Sequence, residues 1–306
     1  MTFERVAIIG LGLLGGSIGL AVRDYLPSVT TRGYDADPAT RRRAAERGLV
    51  GTVCDSAAGA VADADLVILC VPVGAMAAAG AEIAAALPLH ALVSDVGSSK
   101  QAVAEALAAA LPGRAVIPAH PVAGTERSGA DAGFAELFQQ RWCILTPPAD
   151  ADPAHVAGLT AFWEALGAHV EIMEAGHHDR VLAVTSHLPH LIAYTIVGTA
   201  SDLETVTQGE VIKYSAGGFR DFTRIAASDP VMWRDVFLTN KDAVLEMLQR
   251  FSEDLTALQR AIRVGDGDQL FEHFSRTRDI RRSIIEQGQD DARPDFGRSD
   301  HGVDKV

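Results

Sequence analysis

The first 173 residues alternate short apolar runs with alanine-rich stretches of helical period. Val6-Ala7-Ile8-Ile9 runs into a glycine-rich turn, and an apolar, helix-compatible segment follows to about Val22. Val29 to Tyr34 reads as a second strand, and Leu66 to Val71 as a buried strand ended by Pro72. The pattern predicts a helix over Val73 to Leu87, a strand over Leu92 to Asp95, and a helix over Ser99 to Leu111 capped by Ser98 or Ser99. Ala115 to Pro118 is a further strand; Trp142 to Thr146 and His169 to Ile172 flank a helix from about Ala154 to Leu166. Near-continuous apolar strands alternating with helices predict a mostly parallel, doubly wound α/β sheet covered on both faces.

The pattern changes near Glu174. From there to about Gln287 no convincing strand is visible, and long helical segments break near Gly198, Gly217-Gly218, Asp229-Pro230 and Gly265-Asp266-Gly267. Val244, Leu248, Phe251, Leu255, Leu258 and Ile262 step by four and three. Such a seam suits packing on another helix, either within the chain or in a second copy, and a homodimer through this all-α region is expected. The polar stretch 289–306, with five aspartates, is expected to lack a packed core. The expected domains are therefore 1–173, 174–288, and a tail over 289–306.

The turn after the first strand is Gly10-Leu11-Gly12-Leu13-Leu14-Gly15. Gly10 allows the tight turn, Gly12 lets a pyrophosphate approach the backbone, and Gly15 lets helix and strand pack closely. The helix start at Leu13 and Leu14 offers free N–H groups to phosphate. Asp35 lies twenty residues past Gly15, where a carboxylate bonds a ribose hydroxyl. Together these predict a Rossmann-type dinucleotide site, with Val71 and Pro72 beside it at the end of a neighbouring strand. Asp35 favours NAD over NADP, although Arg41-Arg42-Arg43 is close in sequence.

Composition narrows the partners. The net charge of −13 argues against nucleic acid and anionic membrane. The run from Val6 to Val22 is too short and glycine-rich for a membrane span and lacks a basic leader. Three cysteines, Cys54, Cys70 and Cys143, show no metal spacing and suit free thiols in a reducing, cytoplasmic setting.

Ligands of open parallel sheets bind beyond the carboxyl ends of the strands. Two such loops carry reactive groups: Asp95-Val96-Gly97-Ser98-Ser99-Lys100 and Ala119-His120-Pro121-Val122-Ala123-Gly124-Thr125-Glu126. Hydride removal from a carbinol needs a base near neutral pKa, which makes His120 the candidate, with Ser98 bonding it or the cofactor. In the helical half, Ser186-His187-Leu188-Pro189-His190 carries a helix-kinking proline. His187 and His190 lack a third ligand at a supporting spacing, so no metal is expected. His177-His178 reads as a solvated helix start. Arg220 and Arg224 can share one helical face and clamp a carboxylate, or pair with Asp221 or Glu126 at the surface.

Taken together, these motifs resemble the prephenate/arogenate (cyclohexadienyl) dehydrogenase family over about residues 5–288, in its stand-alone form without a fused mutase or regulatory domain. The residues that carry the resemblance are Ile9 to Ser17, Asp95 to Lys100, His120 to Glu126, Ser186 to His190, Gly217 to Arg224, and Asp229 to Trp233. The resemblance implies a Rossmann domain and a helical dimerisation domain. It implies NAD(P)-dependent oxidation of prephenate or arogenate with loss of CO₂, on the way to tyrosine. It makes His120 the acceptor of the ring hydroxyl's hydrogen bond, Ser98 its neighbour, and Arg224 the ligand of the ring carboxylate. His190 and Ser186 would meet the pyruvyl or alanyl arm, while Thr125 and Glu126 would shape the entrance. Two other readings compete: a β-hydroxyacid dehydrogenase, which would use a lysine where only Lys213 and Lys241 are available, and a non-catalytic dinucleotide sensor.

Overall fold

The computed structural model describes residues 2–125, 127–207 and 217–286. Two compact units emerge from it, residues 1–247 and 248–306. The first unit is built on a six-stranded parallel sheet of order β3-β2-β1-β4-β5-β6. Its strands are β1 (Arg5–Ile9), β2 (Thr30–Tyr34), β3 (Thr52–Val53), β4 (Leu66–Leu69), β5 (Leu92–Asp95) and β6 (Ala115–Val116). Helices α1 (Leu13–Tyr25), α2 (Pro38–Arg47), α3 (Ala57–Val61), α4 (Met76–Ile83) and α5 (Gln101–Ala110) connect them.

The period-two rule explains why the strands are apolar throughout. Val6 and Ile8 of β1, with Leu66 and Ile68 of β4, face one buried cluster that also contains Ile18 and Trp163. Ala7 and Ile9, with Val67 and Leu69, face the other, against Met76, Ile83 and Leu107. Both faces are covered, so alternation with polar residues would bury unpaired groups.

The chain departs from the sequence pattern in several places. The helix expected over 73–87 is a 3₁₀ turn, Val73–Ala75, followed by the shorter α4. The strand expected over 115–118 shortens to β6, and a separate strand begins at Ala119. After β6, Pro118 has no N–H to continue the ladder, and β7 (Ala119–Pro121) joins a second sheet of order β7-β8-β9. There β7 runs antiparallel to β8 (Trp142–Leu145), and β8 parallel to β9 (His169–Ile172), with α6 (Pro153–Ala165) between the last two. His120 thus sits inside a strand, opposite Ile144, rather than in a loop beyond one.

Beyond β9 the described residues are helical. Glu174 caps α7 (Ala175–Leu182) by accepting from the backbone N–H groups of Gly176 and His177. Pro189 does not break the chain: a π turn over Ala183–His187 absorbs the lost hydrogen bond, and α8 (Leu188–Thr207) continues through Gly198, where a break was expected. Helix α9 (Gly217–Thr223), a 3₁₀ turn (Arg224–Ala227) and α10 (Pro230–Thr239), capped by Asp229, follow. Helix α11 (Lys241–Val264) runs from the first unit into the second, and α12 (Gly267–Glu286) lies in the second. The tail over 289–306 lies outside the described residues.

The glycine turn has the spacing its sequence predicts. A Cβ on Gly10, at φ +98°, would lie 2.3 Å from the Cys70 carbonyl oxygen. One on Gly15 would lie 1.9 Å from the Gly10 carbonyl oxygen, whereas one on Gly12 would meet nothing within 4 Å. Gly15→Ala is therefore expected to cost about 1–3 kcal/mol, a fall of several degrees in Tm. Gly12→Ala should leave Tm within about a degree while weakening dinucleotide binding. Differential scanning fluorimetry with and without dinucleotide checks both; equal Tm losses in the two variants would contradict this reading of the turn.

Candidate active site

The glycine turn and its flanks form a dinucleotide cradle. Gly12 is the N-cap of α1, no side chain caps the helix, and no acidic residue occupies its first turn, so its N–H groups are available to an anion. Leu13 and Leu14 are half-buried in that first turn. Asp35 reaches back to the turn: its Oδ2 accepts from the Leu11 N–H at 2.8 Å and its Oδ1 from the Asp37 N–H at 2.9 Å. Val71 lies against Gly10, 3.3 Å from where a Cβ would sit, and Pro72 is exposed beside it. The residues present therefore fit a dinucleotide, with open space at Gly12 and a carboxylate at the end of β2. Arg41 donates to the Asp35 and Ala36 carbonyl oxygens, and Arg43 pairs with Asp131 and Glu46.

A buried polar cluster lies at the ends of β5 and β7. Lys100 is fully buried; its Nζ donates to Asp95 Oδ2 at 2.5 Å and to the Ala119 carbonyl oxygen at 2.7 Å. Asp95, also fully buried, accepts from the Gly97 and Ala119 N–H groups. Asp179 accepts from the Lys100 N–H at 2.7 Å and the Gln101 N–H at 3.0 Å. Asp179, from α7, thereby caps α5; the expected cap by Ser98 or Ser99 is not made, and the Ser99 hydroxyl instead bonds Thr239 at 2.8 Å.

His120 is 8% exposed, and its Nδ1 lies 2.8 Å from His178 Nε2. His178 Nδ1 lies 2.8 Å from Asp179 Oδ1. His178 was expected to be a solvated helix start; it is completely buried, because Asp179 and His120 hold it inside. A carboxylate only accepts, so His178 carries its proton on Nδ1 and offers the Nε2 lone pair to His120. His120 in turn carries its proton on Nδ1, which leaves its Nε2 as an unshared base. The Ser98 hydroxyl makes no hydrogen bond to His120 among the described residues; Ser98 is half-buried on the neighbouring loop.

The other candidates gather around α8 and α10. Asn240 donates to His187 Nδ1 at 3.0 Å and to the Asp179 carbonyl oxygen at 2.8 Å. His187 Nε2 is buried near the Ser98 carbonyl oxygen without completing a hydrogen bond. His190 donates from Nδ1 to the Ser186 carbonyl oxygen at 2.8 Å and stacks on Trp233 with ring centroids 3.6 Å apart. Arg224, exposed on its 3₁₀ turn, is close enough for its charge to bear on His190. His190, Ser186 and Arg224 thus share one neighbourhood, joined to His120 through His187, whose charge bears on it. Thr125 is exposed and makes a local turn with Arg127. Arg220 and Asp221 are exposed on α9, and Glu126 lies outside the described residues. Sequence reasoning missed His178, Asp179, Lys100, Asn240 and Trp233 as parts of the site. For Lys100, an isolated lysine directly after a buried strand and its turn was an available signal; for Trp233, its place in the Asp229-capped helix was another.

Burial sets the protonation of this cluster. Burial, then the neighbouring His178, Lys100 and His187, hold the His120 imidazole well below its ordinary range. Burial also lowers His178, although Asp179 opposes it, and takes His187 down to about 4. Above pH 6.5 these imidazoles are neutral in the folded and unfolded chain alike, so nothing is lost there. Below it the unfolded chain takes up protons that the folded chain refuses, and stability falls until the folded groups titrate. His187 alone accounts for on the order of 3 kcal/mol by pH 4. Tm should be flat from pH 8 to 7 and fall steadily from 6.5 toward 4; a constant Tm over that lower range would contradict the buried, neutral assignment.

Comparison with known proteins places this cluster in context. Residues 18–172 match the family model for the nucleotide-binding domain of prephenate dehydrogenase, and residues 174–276 match the model for its dimerization domain. A cyclohexadienyl dehydrogenase of Zymomonas mobilis is 45% identical over 92% of this chain and 96% of its own length. A prephenate dehydrogenase of Bacillus subtilis is 34% identical over 92% of this chain and 76% of its own. The crystal structure of prephenate dehydrogenase from A. aeolicus, in complex with hydroxyphenyl propionate and NAD+, superposes with a TM-score of 0.86 at 33% identity, covering 93% of this chain and 99% of that one. A nucleotide-binding sheet, a helical region and two long, continuous family matches converge, and the chain belongs to the prephenate dehydrogenase family of oxidoreductases.

Proposed function

We propose that this enzyme carries out the NAD-dependent oxidative decarboxylation of prephenate, arogenate or both, giving 4-hydroxyphenylpyruvate or tyrosine in tyrosine biosynthesis. The observation that carries the reading is the 2.8 Å contact between His120 Nδ1 and His178 Nε2. With Nδ1 turned to His178, Nε2 is the nitrogen able to accept the proton of a ring hydroxyl. Gly10, Gly12, Leu13, Leu14, Gly15, Asp35, Val71 and Pro72 would hold NAD, which would supply the acceptor for the hydride of ring carbon C4. His120 polarises the hydroxyl on that carbon, and Ser98 lines the same loop end. Arg224 holds the ring carboxylate, and His190 with Ser186 meets the arm. Thr125 and Glu126 border the entrance. The ring carboxylate leaves as CO₂ and its bonding pair aromatises the ring, so positioning supplies most of what the reaction needs.

NAD is favoured over NADP because a 2′-phosphate would meet the Asp35 carboxylate. Arg41 and Arg43, which could otherwise answer it, are engaged with carbonyl oxygens and with Asp131 and Glu46. Residues 1–173 form the cofactor domain in this reading, and 174–288 the substrate and dimerisation domain. A homodimer is supported by the seam of α11, where Leu255 and Ile262 are 54% and 67% exposed in the single chain, and by the exposed Phe271 and Phe274 of α12. The apolar helical run 175–203 has the length and mean hydropathy, 1.4, of a membrane span. Buried His178, Asp179 and His187 within it favour packing inside the protein, and with the net charge of −13 they support a cytoplasmic enzyme without a membrane or nucleic-acid partner. No metal is required, since hydride transfer itself makes the carboxylate labile. A β-hydroxyacid dehydrogenase or a cofactor sensor has no use for His120 and Arg224 together; of the lysines such a dehydrogenase would use, Lys241 is exposed and Lys213 lies outside the described residues.

Purified protein should form NADH, read near roughly 340 nm, with prephenate or arogenate. His120→Asn should lower kcat by about 10²–10⁴-fold with little change in KM. Arg224→Ala should raise KM by about 10–100-fold and lower kcat less. Absence of NADH with both substrates would overturn the assignment, and the reverse pattern in the two variants would exchange their roles.

A further inference from the structure

The buried chain His120–His178–Asp179 extends beyond what holding one imidazole requires. Two hydrogen bonds of 2.8 Å each run in line from a strand of the second sheet to α7. Asp179 at its end also accepts two backbone N–H groups from the start of α5. Three groups hold that carboxylate: His178 Nδ1, the Lys100 N–H and the Gln101 N–H.

A proton arriving at His120 Nε2 would create a cation in an unfavourable place. The Lys100 ammonium faces His120 from the β5–α5 turn, His187 faces it from the π turn, and no carboxylate contacts the ring among the described residues. Asp95 is already engaged with Lys100, and Cys143 on β8 lies on the Lys100 side. One ring inward a carboxylate enters the surroundings. Burial and the Lys100 charge still hold His178 below its ordinary range, but the Asp179 carboxylate against it, by hydrogen bond and charge, and Asp95 beyond it favour an imidazolium there, which nothing does at His120. Moving the charge from His120 to His178 converts a buried cation beside a lysine into a buried ion pair with its hydrogen bond already formed.

We propose that His120 passes on the proton it takes: His178 accepts it through the His120 Nδ1–H···Nε2 bond, and Asp179 stabilises the resulting imidazolium. The inference rests on the reading that His120 meets the ring hydroxyl. The hydroxyl O–H bond breaks toward His120 Nε2 as the C4 hydride leaves to NAD and the oxygen's pair forms C4=O. The His120 Nδ1–H bond breaks toward His178 Nε2, leaving His120 neutral with its proton on Nε2. When the C–CO₂ bond gives its pair to the ring, the phenolate oxygen takes the proton back from His120 Nε2, and His178 returns its own to His120 Nδ1. No net proton is released, and NAD is the oxidant. His120 is the catalytic residue; His178 and Asp179 act through it.

Two measurements on the full-length protein test this. Long-range ¹H–¹⁵N spectra of histidine-labelled wild-type enzyme at neutral pH, without substrate, should show both His120 and His178 as Nδ1–H tautomers, assigned by loss of signals in His120→Asn and His178→Gln. Either ring protonated on Nε2 instead would overturn the relay. His178→Gln supplies a carbonyl oxygen that keeps the His120 tautomer but cannot take its proton. Its kcat should fall about tenfold or more, with KM and the dissociation constant for NAD within about twofold of wild type. Wild-type kcat in this variant would overturn the relay alone, leaving the assigned reaction intact. Failure of the wild-type enzyme to form NADH would overturn the assigned reaction and the relay with it.

Discussion

Two buried carboxylates organise the candidate active site. Asp95 closes the end of β5 by accepting from Gly97 and Ala119 and by pairing with the fully buried Lys100. Asp179 holds the other side of the same turn, taking the first free N–H groups of α5. The turn carrying Ser98 is fixed from both flanks, and β7 is tied to it through the Ala119 carbonyl oxygen. A buried ion pair is weak evidence for stability, because desolvation offsets attraction. Its effect here is geometric: it fixes the backbone beside His120, while Asp179, through His178, decides which nitrogen of that ring is left unshared.

The same arrangement separates two kinds of chemistry. Around His120, His178 and His187 the protein is closely packed, and burial disfavours the charged imidazoles. Around Arg224 it is exposed, and the guanidinium carries its permanent charge at the surface. His190 stands between them, stacked on Trp233, with its Nδ1 proton assigned by the Ser186 carbonyl oxygen. In the proposed reaction the base is thus sheltered from water, while the guanidinium that would recruit an anionic substrate lies at the surface.

Much of the fold was legible because its signals are local. Gly10 and Gly15 are dictated by contacts within a single strand–turn–helix, and the two-faced burial of β1 and β4 shows in their unbroken apolar runs. Asp35, His120, His190 and Arg224 could be singled out from position or motif. The site's inner residues could not. His178 and Asp179 follow a helix cap and look like a solvated turn until tertiary packing places them against β7 and α5. Lys100 is a residue type almost never buried unless paired, and its partner is visible only once β5 and α5 are packed. The division of 115–121 into two strands follows from Pro118, and the continuity of α8 from a π turn that no periodicity predicts.

The central claim is that burial keeps His120 neutral and ready as a base throughout the physiological range. The pH dependence of kcat/KM tests it most directly, because that ratio reports the free enzyme's titrating groups. With the His120 pKa held well below its ordinary 6.5, the base is unprotonated from pH 8 down to 6, and log kcat/KM should stay level across that interval. A falling limb with its midpoint near 6.5 would show an ordinary, solvated histidine and contradict the account.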